Sequence, residues 1–342
     1  MTTKEEYLND IDNYGESIIA MVGFMNFYRY DSANKKMRND ILIFQGRRLD
    51  IENGEKANSV TPDIGILMPS QRGVLGEVKK SFPQNSDYWI DDFNQLMSYD
   101  NELIGWPSEN ERVSGHDIVL ILHQSRAVAI RQYYEEKMQD KIKFKRPFVI
   151  ISFNRSDERK AYYYFEKRCG SLSNSDINLQ LETGVQVPME VFVGIYSTIK
   201  IYDSEPPPPY LMDLIWTNVI LQRASGNEKF SRLRKNQKIE VTITIEEIID
   251  ELYEQYSFYP LQRNHKNRQS KIPRGEWVTG ACEKFIEIGL GKWTNSDHSS
   301  ITLYFKKIDD VLSYFIDMCI SHDLEAKQIE MFKKTNQCKS LT

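Results

Sequence analysis

The amino-acid sequence predicts an α/β domain with a mixed sheet flanked by helices, followed by a second, mostly helical domain. One observation is the alternation of strand-like apolar runs with segments of helical apolar spacing between residues 16 and 167. The other is SEPPPPY at Ser204–Tyr210, where four consecutive prolines exclude a helix interior and a central strand and favour a stiff extended connector. We therefore predict domains at 1–203 and 211–342, joined by a proline-rich linker at 204–210.

The first domain opens with a predicted helix, ESIIAMVGFMNFYRY. Three predicted strands follow, ILIFQ, DIGILM and GVLGEVK, and then the helix DYWIDDFNQLMSYDNEL. Further along come the strand DIVLILH, the helix AVAIRQYYEEKM, the strand PFVIISF and the aromatic run KAYYYFEK. The order is helix, three strands, helix, and then further strands, which indicates a sheet covered by helices.

The second domain contains four segments with helical spacing. They are LMDLIWTNVILQ, TIEEIIDELYEQY, GEWVTGACEKFIEIGL and IDDVLSYFIDMCISHD, and Thr244 can cap the second of them. Before the last helix, KWTN and SSITLYFKK flank the turn-rich Ser296-Asp297-His298, which predicts a β-hairpin. Helices followed by a hairpin resemble a winged helix in their order, so we expect a winged-helix-like domain that binds DNA or a protein partner.

Composition and charge narrow the class of protein. The chain has 342 residues, 40% of them hydrophobic and 27% charged, as in globular proteins that fold. Its N-terminus is acidic and no apolar run reaches the length of a membrane span, so we expect a cytoplasmic protein without membrane contact. A net charge of −5 argues against nucleic-acid binding over the whole surface. The four cysteines lie far apart, which indicates neither a zinc site nor a disulfide framework.

One local stretch departs from the acidic average. Residues 261–275 read LQRNHKNRQSKIPRG and contain no acid. Their basic residues are Arg263, Lys266, Arg268, Lys271 and Arg274. The stretch is either a solvated basic loop or a segment that contacts the phosphates of a nucleic acid.

Three charged residues stand out in the predicted sheet: Asp63, Glu77 and Lys79. Glu77 and Lys79 are two residues apart in a strand, so their side chains leave the same face. Antiparallel pairing of DIGILM with GVLGEVK brings Asp63 beside Glu77. Two carboxylates together form a hard-oxygen site suited to Mg²⁺ or Mn²⁺. An adjacent lysine can orient a water molecule and stabilise the charge that develops on a phosphate.

Pro62-Asp63 followed by Glu77-Val78-Lys79 resembles the signature of the PD-(D/E)xK nuclease superfamily, over roughly residues 10–170. The resemblance implies a restriction-endonuclease-like fold, in which Asp63 and Glu77 hold the metal and Lys79 assists the attacking water during phosphodiester hydrolysis. Some lineages carry Gln-x-x-x-Tyr on the next helix, which falls on Gln95 and Tyr99. A further acid from the first helix falls on Glu16.

The resulting expectation is a Mg²⁺-dependent deoxyribonuclease, an endonuclease that acts as a restriction or anti-phage defence effector. Cutting both strands needs two active sites, which is consistent with a homodimer. The chain has no GxxxxGK[ST] motif, so an ATP-driven step needs an ATPase or helicase partner. The alternatives are a non-catalytic nucleic-acid-binding or assembly protein on a nuclease fold, a nuclease subunit of a helicase complex, and surface charges on an unrelated α/β domain. His116 and His123 flank a strand and are interpreted as structural.

Overall fold

The computed structural model describes residues 3–31, 36–38, 40–52, 59–79, 89–155, 162–188, 205–234, 237–256 and 273–324. The chain divides into two compact units. The large unit contains the described residues between 15 and 188, and the small unit contains those of 3–14, 205–256 and 273–324. Helix α1 contributes its first turns to the small unit and the remainder to the large one.

The helices begin and end as follows: α1 Lys4–Arg29, α2 Trp89–Ser98, α3 Gln124–Tyr133, α4 Ser175–Thr183, α5 Pro208–Leu214, α6 Leu221–Ser225, α7 Ile245–Tyr256, α8 Gly275–Glu287 and α9 at residues 311–324. Wider π-helical turns follow α3 at Tyr134–Met138 and α5 at Ile215–Ile220, and a 3₁₀ turn spans Phe230–Arg232. None of the helices in the described ranges is long and apolar enough to cross a membrane.

The strands are β1 Tyr30–Asp31, β2 Lys36–Met37, β3 Leu42–Phe44, β4 Leu49–Ile51, β5 Ser59–Val60, β6 Ile64–Leu67, β7 Arg72–Lys79, β8 Leu103–Ile104, β9 Gly115–His123, β10 Phe148–Arg155, β11 Tyr162–Gly170, β12 Val185–Pro188, β13 Ile239–Thr244, β14 Gly291–Trp293 and β15 Ser300–Phe305. Two small sheets of the large unit pair β1 with β2, and β4 with both β5 and β8.

A seven-stranded mixed sheet in the order β12-β11-β10-β9-β7-β6-β3 forms the centre of the large unit. Strands β3, β6 and β7 make an antiparallel meander. Strands β7, β9 and β10 are parallel, and β11 and β12 continue the sheet antiparallel. The predicted α/β class, a mixed sheet flanked by helices, is therefore confirmed.

The central strands are buried because helices cover them. Strand β9 is buried without interruption from His116 to Leu122, as expected for a strand in the middle of an α/β sheet. Helices α2 and α3 pack on the sheet through side chains that include Phe93, Leu96, Ala127 and Ile130. Helix α1 also contacts the sheet, where the ring of Phe24 lies 5.9 Å from that of Phe165.

The first helix begins earlier than predicted. It starts at Lys4, so Gly15 and Glu16 lie inside it and the expectation that Glu16 opens the helix is wrong. Thr3 and Glu6 form a capping box, in which the Glu6 amide donates to Thr3 Oγ1 at 3.1 Å and the Thr3 amide donates to Glu6 Oε2 at 2.6 Å. These paired bonds satisfy backbone donors that the start of a helix otherwise leaves without partners.

The small unit contains a three-stranded sheet in the order β13-β15-β14. The predicted hairpin is confirmed, because β14 and β15 pair antiparallel. Thr244 caps α7 as predicted, accepting a hydrogen bond from the Glu247 amide at 3.1 Å. Strand β13 was not predicted, although its residues alternate between buried and exposed. Helix α5 begins at Pro208, within the predicted extended connector, because proline is tolerated in the first turn of a helix.

Candidate active site

The hairpin of β6 and β7 positions Asp63. Ile64 pairs with Gly76, and this antiparallel register places Asp63, just before β6, beside the end of β7. The Asp63 carboxylate accepts a hydrogen bond through Oδ2 from the Val78 amide at 3.0 Å. The side chain of Asp63 is thus fixed on the backbone between Glu77 and Lys79.

Glu77 is a buried carboxylate held by side chains from α2 and the turn that follows it. Only 1% of the residue is exposed. Its Oε1 accepts one hydrogen bond from Gln95 Nε2 at 2.7 Å and a second from the Tyr99 hydroxyl. Burying a carboxylate is costly unless hydrogen bonds replace the lost water, and these two donors provide that replacement.

The Tyr99 hydroxyl is held in its protonated, donating form. Burial raises its pKa, the negative charge of Glu77 and the hydrogen bond to Glu77 raise it further, and the charge of Asp63 adds to the effect.

Lys79 lies where three oxygen atoms from different residues converge. Its Nζ is 3.4 Å from Gln95 Oε1, 3.6 Å from Glu77 Oε2 and 3.8 Å from Asp92 Oδ1. The side chain of Lys79 is 28% exposed, so this part of the site reaches the surface, in contrast to the enclosed Glu77.

Asp92 is a site residue that the sequence interpretation missed. Burial raises the pKa of its carboxyl group, the positive charge of Lys79 opposes this shift, and the charges of Glu77 and Asp91 reinforce it. A sequence signal did exist. Asp92 precedes Gln95 by three residues and Tyr99 by seven, the spacing of one helix face, while Phe93 and Leu96 point into the core.

The end of α2 is anchored by contacts from strand β9 and from the loop that precedes β10. The helix ends at Ser98, so Tyr99 lies in the next turn rather than on the helix, and it is buried rather than solvated. His116 Nε2 donates to the Tyr99 carbonyl at 2.6 Å. Asp100 accepts from the Lys145 and Arg146 amides at 2.9 and 2.8 Å.

His116 has the structural role that its sequence context predicted. Burial lowers the pKa of its imidazole to about 4, so the ring is neutral near pH 7. Since a carbonyl oxygen only accepts, the proton of the neutral ring lies on Nε2. The imidazole holds Tyr99 in place through the main chain.

The structure does not bring Glu16 into a shared metal group. Glu16 lies in the interior of α1 and is half-buried. Across the residues that the structure describes, no three side chains of His, Cys, Asp or Glu are grouped so as to hold a metal ion. The geometry therefore gives no support to a set of ligands made of Asp63, Glu77 and Glu16. Asp63 and Glu77 still offer the carboxylate oxygens that Mg²⁺ and Mn²⁺ prefer.

Most of the predicted phosphate-binding segment lies outside the described residues. This applies to Arg263, Lys266, Arg268 and Lys271. Arg274 is described at the N-terminus of α8 in the small unit, where its guanidinium lies 5.2 Å from the centre of the Trp277 ring and 3.5 Å from Glu276. The binding of phosphates by this segment stays a prediction.

The five residues Asp63, Glu77, Lys79, Gln95 and Tyr99 thus meet at the carboxyl end of β7. They combine two acids, an ammonium group and two hydrogen-bonding side chains, a set able to bind a divalent cation and stabilise negative charge on a nearby substrate. Comparison of the chain with protein-family models, with curated protein sequences and with solved structures finds no match.

Proposed function

We propose that this protein is a divalent-metal-dependent nuclease that hydrolyses phosphodiester bonds of DNA. The observation that carries the proposal is the position of Asp63 against the Glu77-Val78-Lys79 segment, with Lys79 Nζ 3.6 Å from Glu77 Oε2. Two carboxylates and a lysine at one strand end are the groups that metal-assisted attack on a phosphate requires.

Asp63 and Glu77 would hold the ion, Mg²⁺ or Mn²⁺. When bound, the ion would lower the pKa of a water molecule and offset negative charge on the phosphate. Gln95 and Tyr99 fix the Glu77 carboxylate through Oε1, which keeps its orientation constant. Lys79 would direct its ammonium at the attacking water and at the charge that develops on the phosphate oxygens.

The order of elements supports a restriction-endonuclease-like fold for the large unit. Helix α1, the β3-β6-β7 meander, helix α2 and the parallel strand β9 follow one another as the PD-(D/E)xK resemblance implies. In the small unit, strand β13, helices α7 and α8 and the β14-β15 hairpin have the order of a winged helix. We assign that unit a role in binding DNA or a protein partner.

The proposed substrate and biological role rest on the family resemblance. A nuclease of this architecture fits a restriction or anti-phage defence effector, and a homodimer would supply the two sites that cutting both strands needs. An ATPase or helicase partner would be needed for any step driven by ATP.

Incubation with supercoiled circular and linear DNA, with Mg²⁺ or with a chelator, tests the proposal. Nicking or linearisation of the circle with Mg²⁺ alone is the expected result, and it indicates internal cutting. Asp63→Asn should abolish it. Asp140→Asn is the matched control, because Asp140 is an exposed residue in a turn of the same unit. Cleavage that persists in Asp63→Asn, or that continues in the presence of the chelator, would contradict the proposal.

A further inference from the structure

We propose that Asp92 is a positioning residue that keeps the Lys79 ammonium in the site when a divalent cation binds Glu77. This inference rests on the proposed nuclease function. It assigns a role to a carboxylate that is not part of the Asp63, Glu77 and Lys79 signature.

The two oxygens of Glu77 have different surroundings. Oε1 accepts hydrogen bonds from Gln95 and Tyr99. Oε2 lies 3.6 Å from Lys79 Nζ. A divalent cation bound to Glu77 would therefore lie close to the Lys79 ammonium, and two positive charges close together repel each other. Unless a second anion holds the ammonium, Lys79 and the cation compete for the same carboxylate.

Asp92 is placed to be that second anion. Its Oδ1 lies 3.8 Å from Lys79 Nζ, and its side chain is 22% exposed, so water and salt screen the pair less than they screen a fully exposed one. Gln95, one helical turn further along α2, accepts from the same ammonium at 3.4 Å. Helix α2 thus offers two acceptors to Lys79 in addition to Glu77. With them, the ammonium can remain in the site while Glu77 binds the cation.

A double-mutant cycle read by Mn²⁺ calorimetry tests the role, because it measures metal affinity and requires no cleavage. The proteins are the full chain unaltered and with Asp92→Asn, Lys79→Ala or both. We expect Asp92→Asn to weaken Mn²⁺ binding about tenfold when Lys79 is present, a coupling typical of contacting residues. In the Lys79→Ala background the same change should weaken binding by about twofold or less, because the competing ammonium is gone.

Three further variants make the test specific. Asp91→Asn removes the same charge from the first turn of α2 at an exposed position and should leave Mn²⁺ affinity unchanged. Asp92→Glu keeps an acid within reach of Lys79 and should restore most of the affinity. If thermal unfolding shows that Asp92→Asn does not fold, Asp92→Ser is measured in its place.

Each outcome bears on the inference. Equal weakening by Asp92→Asn in both backgrounds would mean that Asp92 acts only through its general charge, which overturns the positioning role. Unchanged affinity in Asp92→Asn overturns it as well, while the nuclease proposal stands. If the unaltered protein binds no Mn²⁺, the proposed function fails first and the role of Asp92 fails with it.

Discussion

Replacing Tyr99 with phenylalanine should destabilise the large unit measurably, although it removes a single oxygen atom. The Tyr99 hydroxyl donates to Glu77, a carboxylate that is 1% exposed. A hydrogen bond to a charged acceptor contributes about 1.5–3 kcal/mol, more than one between neutral groups. Gln95 still donates to the same oxygen in the variant. We therefore expect a loss near the lower part of that range, about 2 kcal/mol of unfolding free energy.

Thermal or denaturant unfolding at neutral pH measures this loss. For a unit of this size, about 2 kcal/mol corresponds to a fall of about 4–8 °C in Tm. Tyr28→Phe is the matched control, since Tyr28 is 5% exposed and its ring packs 5.3 Å from that of Phe24. The control should change stability less than Tyr99→Phe does, because phenylalanine keeps the ring packed against Phe24. Equal effects of the two substitutions would refute the assignment of Tyr99 as a support of Glu77.

Two further predictions concern the same unit. Burial lowers the pKa of His116 from 6.5 to about 4, so the unfolded chain takes up the proton first as the pH falls. The stability contributed by the neutral ring should be complete above about pH 6.5 and lost towards about pH 4, by about 2–3 kcal/mol. His116→Gln should flatten Tm against pH in this window, and an unchanged slope would contradict the prediction. Gly170→Ala should cost more than about 2 kcal/mol, because φ is +79° and the added Cβ would lie 2.0 Å from the Phe148 carbonyl oxygen. Gly15→Ala, where nothing lies within 4 Å, should instead stabilise helix α1 by up to about 1 kcal/mol; similar losses in both variants would refute this account.

The central strands of the sheet could be predicted from the sequence because they are largely apolar runs. Strands β6, β7, β9 and β10 were all predicted, and they lie within a few residues of the expected bounds. The proximity of Glu77 and Lys79 followed from the two-residue period of a strand. Local signals also existed for two features that were missed, the start of α1 and strand β13. The capping box of Thr3 and Glu6 marks the start of α1, and the alternation from Ile239 to Thr244 marks β13.

The remainder of the site depends on contacts between residues far apart in the chain. Helical spacing alone placed Tyr99 on the face of a helix, whereas it lies buried in the turn after Ser98. That turn is fixed by His116 from β9 and by the residues before β10, to which Asp100 is bonded. Spacing within one helix carries no information about such partners. For the same reason the ion pair of Asp92 with Lys79 could not be predicted without knowing how α2 packs against the sheet.

The most direct test of the central claim is a Mn²⁺ titration by calorimetry of the unaltered protein, Asp63→Ala and Lys79→Ala, with DNA cleavage measured on the same samples. The account predicts that Asp63→Ala loses both metal binding and cleavage, because the ion would supply water activation and charge stabilisation worth several kcal/mol of the barrier. Lys79→Ala should still bind Mn²⁺ while cleavage falls by orders of magnitude, because the proposed role of the lysine is to act on the water and the transition state. Loss of metal binding in Lys79→Ala together with intact cleavage in Asp63→Ala would contradict the assigned roles.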